Sequence, residues 1–166
     1  MKRSLVFLLL CLLCSPLSAQ PEPRAVVEEF YQSYMRQSSR PGNWLKALMT
    51  ENSHKVEPQL RDLLVKLSEG EPGGDRPWLD FDPISNSQMG TESYHLGPSR
   101  EKNGLIYIPV KIKYPGDPGP AQLAAHVIVR RTDGVYKIAN FDYPARDGME
   151  AWNLLRYLKD EFGVKP

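Results

Sequence analysis

The sequence predicts an α+β domain, with N-terminal helices packed on a curved antiparallel sheet of about four strands and one further helix at the C-terminus. Two changes of pattern along the chain predict this class. Up to about residue 68, apolar residues recur at spacings of three and four, as on one face of a helix. From about residue 91 they alternate with other residues, as in strands that have one buried face. A run of helices followed by a run of strands is typical of α+β proteins.

Three helices are predicted before the sheet. Pro21 and Pro23 favour the start of the first helix, because proline fits the first turn. Residues 38–42 interrupt this helix, and Asn43 is placed to cap the second one. The third is expected over Val56–Ser68. The apolar faces of the three helices are, in order, Val27, Phe30, Tyr31 and Tyr34; Trp44, Leu45, Leu48 and Met49; and Leu60, Leu63, Leu64 and Leu67.

Four strands are predicted after the helices, and the second has the clearest alternation. Its even positions from 106 to 112 are isoleucine or valine, whereas its odd positions include Tyr107, Pro109 and two lysines. Proline cannot donate a ladder hydrogen bond, so Pro109 predicts an edge strand or a bulge. Asp133 and Gly134 predict a tight turn before the last strand. The expected strands are Thr91–Leu96, Leu105–Tyr114, Gln122–Arg131 and Tyr136–Tyr143.

A C-terminal helix is expected over Met149–Phe162. Asp147 and Glu150 have the spacing of a capping box ahead of it, and Gly163 is placed to end it. The helices would cover the apolar face of the sheet, and a curved sheet would leave a cone-shaped space beneath them.

Residues 1–19 have the pattern of a cleaved signal peptide. Lys2 and Arg3 give a positive start, residues 5–14 form an apolar run, and Ala19 ends a stretch suited to a signal peptidase. An apolar helix of about 10 residues spans about 15 Å, half the hydrocarbon core of a bilayer, so it is too short for a membrane anchor. We therefore expect a periplasmic or secreted protein whose mature part, residues 20–166, is a single α+β domain with no membrane span.

The composition of the mature part limits the classes of site and partner. Both cysteines, Cys11 and Cys14, lie in the signal segment, so the mature part offers no disulfide or cysteine metal site. Leu10 and Leu13 precede them where a lipidated cysteine needs a small residue, which argues against a lipoprotein. Removal of the two basic residues of the signal lowers the basic count from 21 to 19, against 20 acidic residues. Without a long basic run, nucleic acid is not an expected partner.

Three stretches of the mature part resemble the bacterial domain-of-unknown-function family 3828. They are residues 30–34, residues 79–88, in which Asp82-Pro83 is followed five residues later by Gln88, and residues 133–141. The likeness covers residues 25–158 and implies a small exported protein with a nuclear-transport-factor-2-like (cystatin-like) fold.

Two positions depart from that family. Met89 stands where the family commonly has an acidic residue, and Asn140 is uncharged in a region where the family commonly has aspartate. Both departures argue against a carboxylate cluster that works as an active site.

Asp80 and Asp82 are the candidate polar site. In an extended segment their side chains point to the same side, where they could bind a cation or share a proton. In the structural alternative, which we expect, Asp82 caps a turn or a helix around Pro83 and Asp80 accepts backbone hydrogen bonds. Ile84 stands where a calcium loop needs an oxygen ligand, and the three histidines are widely spaced. No metal site, cofactor or catalytic residue is therefore predicted.

Aromatic residues supply the remaining candidates. Tyrosine and tryptophan are enriched at binding surfaces, because they combine apolar area with a polar group. Most of them are expected in the core, whereas Tyr107 is expected on the sheet face away from the helices. The candidate binding residues are Tyr31, Tyr34, Trp78, Asp80, Asp82, Gln88 and Tyr107.

Three kinds of function fit these observations. The one we expect is a non-catalytic binding or accessory protein, whose partner is an envelope protein or a small molecule such as a peptidoglycan fragment. The second is an immunity or inhibitor protein that blocks an exported toxin. The third, based on fold analogy alone, is an enzyme that uses a cone pocket lined by tyrosine and aspartate.

Overall fold

The computed structural model describes residues 22–70, 79–146 and 148–164. Within these residues the chain forms four helices and a six-stranded antiparallel sheet, which confirms the predicted α+β class. The predicted signal segment 1–19, Trp78 and Asp147 lie outside the described residues. Among the helices that are described, each is too short or too polar to cross a bilayer.

The elements follow the predicted order, with two additional short strands. The sheet has the order β1-β3-β4-β5-β6, and β2 also pairs with β3. In chain order the elements are α1 (Pro23–Ser38), α2 (Trp44–Glu51), α3 (Pro58–Leu67), β1 (Ser93–Leu96), β2 (Arg100–Lys102), β3 (Leu105–Lys113), β4 (Gln122–Thr132), β5 (Val135–Tyr143), β6 (Trp152–Asn153) and α4 (Leu154–Glu161).

The three N-terminal helices begin close to where the sequence predicts. Proline occupies the first turn of both α1 and α3, as expected for a residue whose missing N–H is not needed there. The side chain of Asn43 caps α2 by accepting a hydrogen bond of 3.0 Å from the backbone N–H of Lys46. The predicted leucine stripe of α3 is buried in the core, and α3 has its main contacts with α2 and α4.

Pro109 lies in the centre of the sheet, so its predicted place at an edge is wrong. On one side β3 pairs with β4, and on the other it pairs with β1 and β2 in succession. Pro109 lies between those two short strands, where its carbonyl accepts a hydrogen bond of 2.7 Å from Gly97 N–H. The carbonyl of Gly97 is opposite the backbone nitrogen of Pro109, which has no hydrogen to donate. This carbonyl accepts a hydrogen bond of 2.6 Å from the guanidinium of Arg24 instead. The register of the β3–β4 pair shifts one residue further along, between Val110 and Lys111, where Ala124 of β4 is the extra residue.

Two pairs of neighbouring strands are each connected by a tight turn. Asp133 and Gly134 join β4 to β5 with φ of 51° and 82°, the positive pair that the predicted turn requires. Asn103 and Gly104 have φ of 54° and 72° and join β2 to β3. Neither this second hairpin nor strand β2 is predicted from the sequence.

The C-terminal helix begins later than predicted. The chain at Trp152–Asn153 pairs with β5 as strand β6, so the predicted start at Met149 is wrong. The helix begins at Leu154, where the Asn153 side chain accepts a hydrogen bond of 2.9 Å from Arg156 N–H. Gly163 follows the helix with φ of 63°, as expected for the glycine that ends it.

The core lies between the helices and one face of the sheet. Ile108, Val110 and Ile112 of β3 are fully buried there with residues of all four helices. The opposite face, called the outer face below, carries the odd-numbered residues of β3, and Tyr107 lies on it as predicted.

Candidate functional site

The segment at residues 82–87 forms a tight turn under the helices, called the 82–87 turn below. Asp82 N–H donates to the carbonyl of Ser87 at 2.9 Å and closes the turn. The Asp82 carboxylate caps it, because its Oδ1 accepts from the N–H of Ile84 at 2.7 Å and of Ser85 at 3.3 Å. This arrangement confirms the predicted capping role of Asp82.

Three tyrosines from different parts of the chain hold the backbone of the turn. Each donates its phenolic hydrogen to one of three consecutive carbonyl groups, so acceptors that the turn leaves without a backbone partner are satisfied. The three bonds join Tyr143 to Pro83, Tyr31 to Ile84 at 3.1 Å, and Tyr114 to Ser85 at 3.2 Å.

A fourth tyrosine holds the carboxylate itself. The hydroxyl of Tyr34 lies 2.5 Å from Asp82 Oδ2 and 2.9 Å from Thr91 Oγ1. Burial and then the charge of Asp82 raise the pKa of Tyr34, so the phenol stays protonated and donates. Burial also raises the pKa of Asp82, against the hydrogen bonds from Tyr34 and from the N–H of Ile84, which lower it.

A cleft of about 740 Å³ opens beside the turn, between the ends of α1 and α3, the start of α2 and the segment 79–91. Volumes of this size are typical of small-molecule sites. Its walls combine aromatic rings and polar side chains. The residues that line the cleft include Tyr34, Trp44, Leu67, Asp80, Phe81, Asp82, Gln88 and Thr91.

Asp80 lies at the rim of this cleft and is exposed. Its Oδ2 accepts a hydrogen bond of 3.2 Å from Gln88 Nε2. Among the residues that the structure describes, the Asp80 carboxylate is therefore bound by a side chain, and the prediction that it accepts backbone hydrogen bonds is wrong. The two aspartates share the cleft but differ in role, since Asp82 is tied into the turn and Asp80 faces solvent.

The cleft continues into an aromatic groove. A depression of about 500 Å³ shares Asp80, Phe81 and Gln88 with the cleft, and extends to Trp152 and Tyr157. The ring of Trp152 lies 5.8 Å from that of Phe81 and 5.5 Å from that of Tyr157, measured between centroids. Met149 at the groove is 58% exposed. The cleft and the groove are therefore neighbouring depressions that share part of their lining.

The structure brings some of the predicted binding residues together and separates others. Four of them line the cleft, namely Tyr34, Asp80, Asp82 and Gln88. Tyr31 is fully buried against the turn, and Tyr107 lies on the other side of the sheet. Sequence reasoning missed the aromatic side chains Trp44, Phe81, Trp152 and Tyr157, although Phe81 stands between the two aspartates that it singled out.

The described residues contain no cluster of three or more histidine, cysteine or acidic side chains placed to hold a metal ion. Comparison of the chain with family models, with curated proteins and with solved structures finds no match.

Proposed function

We propose that the protein is an exported binding protein without a catalytic step, and that it holds its ligand in the cleft beside the 82–87 turn. The observation that carries the proposal is the cleft itself, whose wall is fixed by four tyrosine hydroxyls. A wall that is already ordered loses little conformational entropy when a ligand binds. The signal-like pattern of residues 1–19 supports export.

The environment of Asp82 favours binding over catalysis. A general acid or base must be free to exchange a proton with a substrate. Asp82 instead accepts from Tyr34 and from two backbone N–H groups, and proton exchange would break contacts that hold the turn. The exposed Asp80 and Gln88 at the rim remain the polar groups that a ligand can reach.

We also infer a relationship to the family of unknown function that the sequence resembles. The support is spatial, because two of the three similar stretches meet at one place. Tyr31 and Tyr34 of the first stretch bond to Ile84 and Asp82 of the second. Phe141 of the third stretch packs against Phe30 of the first, at 6.0 Å between ring centroids. A nuclear-transport-factor-2-like fold is the form of the α+β architecture that this relationship implies.

Export is tested by sequencing the N-terminus of the protein recovered from its own host. We expect the mature chain to begin at or within a few residues of Gln20, in the periplasmic or extracellular fraction. A chain that begins at Met1 and stays in the cytoplasm would contradict export and leave the cleft proposal untouched.

Binding is tested with peptidoglycan fragments, added as purified disaccharide-peptides to the mature protein and followed by calorimetry. The test variants are Asp80→Asn and Gln88→Ala, which change the rim without touching the turn. Their matched controls are Asp62→Asn and Gln59→Ala, on the exposed side of α3. We expect the rim variants to weaken binding at least fivefold at an unchanged Tm, and the controls to bind like the wild type.

The same samples separate the alternatives. Cleaved fragments in the mass spectrum that disappear with Asp82→Asn would replace the binding proposal by the enzyme. If the fragments fail to bind, the cleft proposal fails for this ligand class. A single toxin retained from an envelope extract by the wild type, and lost with the rim variants, would then establish the inhibitor instead.

A further inference from the structure

The outer face of the sheet collects positive charge that the sequence distributes over four strands. The pairing register aligns Lys102 of β2, Leu105 of β3, Arg130 of β4 and Lys137 of β5 in one row across the sheet. Residues in such a row project from the same face, with about 5 Å between neighbouring Cβ atoms. The row therefore brings three cations to one end of the outer face.

Three more cations lie on the same face. Arg100 is opposite Tyr107, and Lys111 and Lys113 follow further along β3. On the strands that carry these six cations, the register places one acidic residue on this face, Asp142 of β5, opposite His126. Glu57 reaches the face through its pairing with Arg130, and Asp117 lies in the loop beside Lys113. The mature chain as a whole has slightly more acidic than basic residues, so the positive charge of this face is a local property.

Internal contacts do not account for most of this charge. Arg130 is bound by Glu57, and the ammonium group of Lys113 donates to the carbonyl groups of Asp117 and Gly119. The other four cations, which are Arg100, Lys102, Lys111 and Lys137, form no ion pair with a residue of the described ranges.

The arrangement is also unfavourable for the fold. Lys137 stands directly opposite Arg130, and like charges at opposed positions of two strands destabilise a sheet. The pairing of Arg130 with both carboxylate oxygens of Glu57 reduces this repulsion. Because clustered like charges do not stabilise the sheet, a partner explains them better than packing does.

The centre of the same face is apolar. Ile128 is 5% exposed although it is not part of the helix-covered core, and the pairing register places it between Tyr107 and Asn140. Tyr107 and Pro109 are half-buried beside it. An apolar, aromatic centre with a charged margin is the composition of protein–protein interfaces.

We propose that the outer face binds an acidic surface of another protein. Charge complementarity selects the partner, because a basic face attracts and orients an acidic one. A lipid surface is disfavoured, because the apolar residues of the face are buried or half-buried and cannot insert between lipids, and because Glu57 and Asp142 would meet the anionic headgroups. This interface lies on the opposite side of the sheet from the cleft and does not depend on the function proposed for it.

The test uses labelled poly-L-glutamate as the acidic polypeptide and fluorescence anisotropy as the readout, with the mature protein in low salt. Lys102→Glu together with Lys137→Glu reverses two charges of the outer face. Arg40→Glu together with Lys66→Glu makes the same change of net charge on exposed positions of the helical side. We expect the first pair to weaken binding at least tenfold and the second to change it less than twofold.

Salt and alternative probes complete the test. Binding by the wild type should weaken steeply as salt rises, as for any contact between opposite charges. Absence of binding at low salt, or an equal loss in both double variants, would overturn the proposal. Tighter, face-dependent binding of single-stranded DNA, or of vesicles with 30% phosphatidylglycerol, would overturn it in favour of that partner. If the charge reversals lower the Tm, Lys102→Gln with Lys137→Gln replaces them, with a threefold loss as the expected result.

Discussion

Tyr31→Phe removes one hydrogen bond from the 82–87 turn and almost nothing else. The hydroxyl of Tyr31 donates to the carbonyl of Ile84 at 3.1 Å, and both residues are fully buried. Phenylalanine keeps the ring and its edge contacts with Phe30 and Tyr34. The carbonyl is left buried without this donor, which costs about 1–3 kcal/mol. For a domain of this size, a loss near 2 kcal/mol lowers the Tm by roughly 4–8 °C.

The assay is urea unfolding at pH 7, followed by tryptophan fluorescence and checked by thermal unfolding. Tyr107→Phe is the matched control, since its half-exposed side chain lies on the outer face. We expect the control to change the free energy of unfolding by less than about 0.5 kcal/mol. If Tyr31→Phe is as stable as the control, the hydroxyl does not hold the turn and the argument for a fixed cleft wall is refuted.

Three further changes test other parts of the fold. Leu64→Ala should lower the free energy of unfolding by about 2–5 kcal/mol, because it empties a fully buried position; a urea-measured loss below about 0.5 kcal/mol would contradict this packing. Burial raises the pKa of the Asp82 carboxyl in the folded state. The protonated carboxyl therefore contributes stability at low pH, and this contribution is lost as pH rises through the raised pKa. The stability of the wild type relative to Asp82→Asn should therefore increase from pH 7 toward pH 4, and a decrease would refute the shift. Gly97→Ala should destabilise by about 1–3 kcal/mol, since its Cβ would lie 2.6 Å from Pro109 Cγ; a Tm equal to that of Ser99→Ala would show that the sheet yields there.

Local patterns predict the helices of this chain well. Proline at the first turn, Asn43 as a cap and the four-leucine stripe are all signals within one helix, and the structure confirms them. The hairpin at Asn103 and Gly104 was equally local, and its dipeptide favours a two-residue turn. It was missed because β2 has only three residues, all of them polar and exposed, so no alternation marked the strand.

Features that depend on contacts between residues far apart in the chain could not be predicted from the sequence. Pro109 signalled correctly that one hydrogen bond is missing from the sheet. It could not show that the gap lies between β1 and β2 rather than at an edge, nor that Arg24 fills it. In the same way, Tyr31 and Ile84 are 53 residues apart, and no spacing rule connects a helix tyrosine with the carbonyl group that it binds. Helix α4 starts later than predicted because Trp152 pairs with Tyr143 of β5 and is therefore part of a strand.

The break between β1 and β2 also protects the protein from self-association. A long, straight edge strand offers a row of free backbone groups on which another chain can form a strand, and this is a common start of aggregation. Here the edge consists of pieces of four and three residues, separated by Gly97 and Pro98, and Pro98 has no N–H to offer. At the other edge of the sheet, the backbone of Ile138 in β5 donates a hydrogen bond to the carbonyl of Lys55 and accepts one from the N–H of Glu57. Neither edge gives a second copy an uninterrupted strand to extend, so molecules exposed to each other at high concentration are expected to resist fibrous assembly.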